Sequence, residues 1–164
     1  MAVEDGYKYK GEDTLYLVEI ETETGTEMVR PFDQTGGGTS ISSDDIEVST
    51  KDRTGTEYGN VTQTVTLEGE IAEGDPFIKA IKKAIRNKEF VKIYEVNVLT
   101  NEAEYGFYKI NSFDLEYPNG ESSTYSLEGA LFGSVTETTL TEIPDGAPEF
   151  EDPAEENGGG GVEG

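Results

Sequence analysis

The chain has 164 residues, of which 35 are acidic, 12 basic and none histidine, for a net charge of −23. Such a surface repels nucleic acid and anionic membranes, since gripping a phosphate backbone takes clustered Lys and Arg. The absence of His and Cys excludes Ser-His-Asp and Cys-His nucleophilic machinery, disulfide frameworks and zinc sites of the usual Cys/His kind.

The length fits one domain of ordinary size, and nine Tyr and seven Phe can carry its core without any Trp. Met1–Asp5 has neither the basic start nor the apolar run of a signal peptide. No stretch approaches the roughly 18 apolar residues of a membrane span. A soluble protein with no membrane partner is the expectation.

The first predicted element is a strand over Leu15–Glu21. Leu15 and Leu17 oppose Tyr16, Val18 and Ile20, so both faces are apolar and the strand belongs at the centre of a sandwich. The stretch from about 31 to 60 follows. It contains three consecutive glycines (Gly36, Gly37, Gly38) and little core material beyond Ile41, Ile46 and Val48. So long a segment without a core of its own is uncommon and usually functional or disordered. The expectation is a long extended arm loop that becomes ordered against another subunit.

Period-two alternation then sets in. Val61, Val65, Leu67 and Ile71 share one strand face, and Thr62, Thr64, Thr66, Glu68 and Glu70 the other. Asp75-Pro76 supplies an N-cap and a proline at the first helical position. Phe77, Ile81 and Ile85 then fall at helical spacing, which predicts one amphipathic helix over about 76–87. Its other face carries Lys79, Lys82, Lys83 and Arg86. That stripe is either a solvated face or a contact with the acidic surface of a neighbour. Two hairpins complete the body: Phe90–Val98 with Tyr105–Ile110, and Phe113–Tyr117 with Tyr125–Leu131. The second turns at Asn119-Gly120, a pair suited to the positive φ of a tight turn.

The charge is unevenly placed, with no basic residue beyond Lys109. From Glu142 the chain is rich in acids, carries three prolines and has a terminal run of glycines, a composition too poor in apolar surface to offset the entropy of ordering. Residues 142–164 are therefore expected to form a flexible acidic tail behind a folded body of 1–141.

No residue is assigned to catalysis, a cofactor or a metal. The glycine run lacks the Lys-Ser or Lys-Thr of a phosphate-binding loop, and Asp44, Asp45 and Asp52 lack EF-hand spacing. So many carboxylates guarantee chance pairs, which deprives a glycosidase couple of support. Asn60-Val61-Thr62 matches a glycosylation acceptor but has no secretion signal beside it. A host living in molar salt would account for the acidity, although nine Lys against three Arg does not suit it.

The order of elements resembles the major tail protein, or tail tube protein, family of long-tailed viruses with non-contractile tails. The segments that carry the resemblance are Gly11–Val18, Ile46–Asp52, Thr64–Gly69, the helix start Asp75–Ala80 and the strand Thr124–Gly129. It covers roughly residues 11–133 and implies a β-sandwich or barrel of two antiparallel sheets with one flanking α-helix. It also implies a structural role with no enzymatic activity. Subunits would join as rings, typically of six, and the rings would stack into a hollow tube in the virion tail, assembled in the host cytoplasm. Implied partners are further copies of the chain and other tail proteins, with DNA passing through a lumen of Glu and Thr without sticking. Two other readings stay open: another β-sandwich structural piece, such as a secretion-system tube or virion decoration protein, or an acidic binding module that mimics DNA. Assembly into rings or tubes separates the structural readings from the last.

Overall fold

A computed structural model describes residues 3–22 and 25–145. A short 3₁₀ turn at Gly11–Asp13 leads into β1 (Thr14–Thr22), β2 (Gly25–Val29), β3 (Gln34–Ser49) and β4 (Thr54–Glu70). After α1 (Pro76–Arg86) come β5 (Val91–Asn97), β6 (Glu102–Glu116) and β7 (Thr124–Thr139). All pairings are antiparallel, and the seven strands form one sheet in the order β2-β1-β5-β6-β7-β4-β3.

The expected pair of sheets is thus a single sheet. The two hairpins share β6, whose first half pairs with β5 and whose whole length pairs with β7, so the ladder never breaks. Register shifts at Tyr105/Phe107 and Ile110/Ser112 bend β6 and β7, as bulges do. The sheet coils until its two ends share one core. Tyr16, Val18 and Ile20 of β1 are buried in the same cluster as Val65 and Leu67 of β4 and Tyr125 and Leu127 of β7. Gln34, at the start of edge strand β3, bridges back to β1. Its Nε2 donates to the Tyr16 carbonyl and its Oε1 accepts from the Tyr16 N–H, each at 3.0 Å.

The helix closes the open end of this core with Phe77 and Ile81, both buried. The Asp75 carboxylate caps it, accepting from the Phe77 N–H at 3.0 Å and from the Phe32 N–H at 3.1 Å. One side chain therefore fixes both the helix start and the entry to β3. The opposite sheet face buries Leu15, Leu17, Tyr94, Val96 and Ala103 beneath Leu140 and Ile143, which explains why β1 is apolar on both sides. Ile143 belongs to the segment that composition assigned to the tail; positions 146–164 of that segment lie outside the described residues.

The expected arm loop is a β-hairpin. β3 pairs with β4 along almost its full length, and Thr50–Arg53 closes the turn through the Thr50 Oγ1, which accepts from the Arg53 N–H at 3.1 Å. Serine and threonine on both strands suit this pairing, and regular hydrogen bonding satisfies a backbone that has little core beneath it. β4 meets β7 only up to Thr64. Past that point, Ile41–Ser49 and Thr54–Gln63 form a ribbon of two strands, reaching about 30 Å at a strand's rise per residue. Val61, expected inside with Val65 and Leu67, is 63% exposed because it lies on this ribbon, beyond the core.

Candidate assembly surfaces

Four neighbouring strands present one polar face. In the cross-strand rows, Glu116 lies beside Thr124 and then Glu70, and Asp114 beside Ser126, Glu68 and Gly36. The next rows read Ser112, Glu128, Thr66, Gly38 and then Lys109, Ala130, Thr64, Ser40. Carboxylates and hydroxyls are interleaved, so no two acids stand directly opposite each other within these rows. Directly opposed like charges destabilise a sheet, and this arrangement carries a dense negative surface without that cost. The strand alternation that buries Val65, Leu67, Tyr125 and Leu127 is what turns these polar residues outward.

The predicted arm residues divide. Gly36, Gly37 and Gly38 sit within the body on β3, paired with Glu68, Leu67 and Thr66. A Cβ on Gly37 would lie 2.7 Å from the Tyr16 ring and 2.9 Å from the Thr66 carbonyl oxygen, so glycine there lets the Tyr16 ring lie on the strand. The Tyr16 hydroxyl lies 2.8 Å from the Thr39 Oγ1, and the Thr39 hydroxyl donates in turn to Glu95. Burial pushes the Tyr16 phenol up to about 12, with the Thr39 hydrogen bond acting in the opposite sense and Glu95 adding to the rise. Ile41, Ile46 and Val48 lie instead on the ribbon. Ile41 and Ile46 are exposed there, as are Tyr58 and Val61, and strand alternation puts Ile46 and Val48 on the face opposite Ile41. An isolated hairpin is marginal in water, and this one shows apolar side chains on both sides.

Lys79, Lys83 and Arg86 are exposed on α1 and Lys82 is half-buried. Among the described residues the one ion pair is Lys92–Glu19, at 3.2 Å, so none of the four helix cations has a carboxylate partner there. Next to the helix's C-terminal end lies a surface that sequence inspection missed. Phe90, Phe107 and Phe132 are 50%, 48% and 66% exposed. The Phe90 and Phe132 rings stack with centroids 4.9 Å apart, Phe107 is the cross-strand partner of Phe132, and the Lys92 ammonium lies 5.9 Å from the Phe107 ring centre. These phenylalanines sit on three separate segments, and only the strand register brings them together.

Among the described residues, no group of three or more acids is arranged to hold a metal ion, and no helix is long and apolar enough to cross a membrane. The chain is a coiled sheet with one capping helix, a projecting ribbon and exposed apolar and charged faces. Its fold is that of tail-tube subunits. It matches the tail of an empty GTA particle solved with C6 symmetry (TM-score 0.66, 14% identity, 80% of this chain and 100% of that one). It also matches the SPP1 tail tube (TM-score 0.65, 19% identity, 89% and 92%). A third match is a sheath–tube complex of an extracellular contractile injection system (TM-score 0.54, 13% identity, 77% and 89%). No curated protein sequence matches the chain. The family model for phage tail tube proteins matches residues 8–137. The chain belongs to that family, and its role is that of a structural tube subunit.

Proposed function

We propose that this protein is the repeating subunit of a non-contractile viral tail, stacking as six-membered rings around a lumen lined by the polar face of β6, β7, β4 and β3. The observation that carries the reading is that face, with Asp114, Glu116, Glu68, Glu70 and Glu128 set among Ser and Thr and only Lys109 of opposite sign. A wall of this kind repels the phosphate backbone and offers no clustered cations for counterion release, so DNA slides without adhering. The C6 symmetry of the GTA tail supports rings of six. Of the three structures compared, the contractile system's tube is the weakest match, which supports a tail without a sheath. Rings close by heterologous contacts while stacking stays open along the axis. Assembly takes place in the host cytoplasm, and other tail proteins cap the ends.

The exposed apolar residues of the ribbon argue against a monomeric DNA mimic, for which they would be a liability. Electron microscopy of the purified protein in low and molar salt tests the reading. Hollow tubes or stacked rings are expected in at least one condition. A dispersed monomer in both would overturn it and favour the binding-module reading.

A further inference from the structure

The ribbon and the foot of α1 are each incomplete in a single chain, and their chemistries are complementary. One face of the ribbon mixes apolar with acidic residues: Ile41, Tyr58 and Val61 lie on the same side as Asp45 and Glu47. At the foot of α1, Phe90 lines a groove with Lys83 and stacks on Phe132, the cross-strand partner of Phe107; Lys83, Arg86 and Lys88 have no ion-pair partner among the described residues. Half of the chain's cations lie between Lys79 and Lys92, so an acidic ribbon meets repulsion over most of the remaining surface. The acids Glu21 and Glu89, which line the groove beside Phe90, have counterparts in Lys51 and Arg53 at the ribbon's turn. Ile41, Tyr58 and Val61 are exposed on the ribbon, so it does not cover its own body.

We propose that the β3–β4 ribbon of one copy docks on the Phe90–Phe107–Phe132 patch and the C-terminal cations of α1 in another copy. This contact rests on the tube-subunit reading and names the partner surface for its arm. Ile41, Tyr58 and Val61 of the ribbon cover the phenylalanines, while Asp45 and Glu47 on the same face approach Lys83 and Arg86. Desolvation at the centre of such a contact strengthens the charge pairs that surround it.

A charge swap tests it. The pair Lys83→Glu with Arg86→Glu is expected to abolish tubes, as is Asp45→Lys with Glu47→Lys. All four side chains are exposed, so circular dichroism should show each variant folded. Combining the two pairs in one chain should restore assembly. The chain has no cysteine, so a second measurement has no background. A Thr56→Cys, Asn87→Cys variant treated in its assembled form with a short bis-maleimide should give a ladder of linked chains, and either single variant should not. Wild-type tubes accompanied by unimpaired tubes from Lys83→Glu/Arg86→Glu, or by no ladder from intact tubes, would overturn the contact and leave the tube reading standing. A wild-type protein that never assembles would overturn both.

Discussion

Gly37 and Tyr16 show how one residue's reason lies in another's position. Three glycines in a row suggest freedom, yet at Gly37 the backbone pairs normally and the constraint is the Tyr16 ring. Gly38 differs, since the nearest atom to a Cβ there is the Thr66 Oγ1 at 3.7 Å. Gly37→Ala should therefore destabilise by about 1–3 kcal/mol through overpacking, and Gly38→Ala should stay within about 0.5 kcal/mol of wild type. Urea denaturation checks both, and equal midpoints for the two variants would contradict the assignment. Tyr16 itself makes stability depend on pH. Its phenol rises from an unfolded value of 10.0 to about 12, so the fold favours the protonated form. That contribution is complete below pH 10 and lost as pH rises through 12. The urea midpoint should hold to the unfolded value and then decline, and Tyr16→Phe should make the decline shallower. A residual slope is expected, because burial also raises Tyr108 and Tyr125. An identical decline in wild type and variant would remove Tyr16 from the account.

Among the elements, α1 was the most legible. An N-cap, a proline and apolar residues at helical spacing are local signals, and the helix runs from Pro76 to Arg86 behind Asp75 as they indicate. What the sequence did not show is the second use of Asp75, since Phe32 lies 43 residues away. Asp75→Ala loses the cap and strands the Phe32 N–H, which together should cost about 2 kcal/mol. Asp75→Asn should cost less, because its one amide oxygen can still cap the Phe77 N–H and a charge that burial disfavours is removed, although its NH2 cannot accept from the Phe32 N–H. Thermal melts of the two variants decide this, and equal losses would show that the asparagine oxygen does not replace the carboxylate as a cap. The arm was misread for a related reason. Its alternation around Ser40–Ser49 is weak because neither ribbon face is buried by its own chain, so the pattern that marks a strand is missing. Replacing residues 42–62 with an Asn-Gly turn should leave the body folded and abolish tubes. Normal tubes from that variant would deprive the ribbon of its role. Removing Thr35–Asp45 is a poorer test, since it takes out body strand along with ribbon.

For the molecule as a whole, the alternating runs after residue 60 made an antiparallel β architecture legible. The single sheet was not legible. Continuity depends on β6 serving two partners and on bulges that coil the ladder, neither of which leaves a mark in hydrophobic periodicity. The phenylalanine patch escaped notice for the same reason, because register assembled it from β6, β7 and the residue before β5. The polar face, by contrast, could be read directly from Thr64–Glu70 and Ser126–Glu128, and its interleaving of acids with hydroxyls emerged only with the register. The most direct test of the central claim is a cryo-electron microscopy reconstruction of tubes formed by the purified protein. Six subunits per ring, with Glu68, Asp114 and Glu128 facing the lumen, is the predicted result. A lumen lined by the α1 side of the subunit, or a tube of different symmetry, would contradict the account.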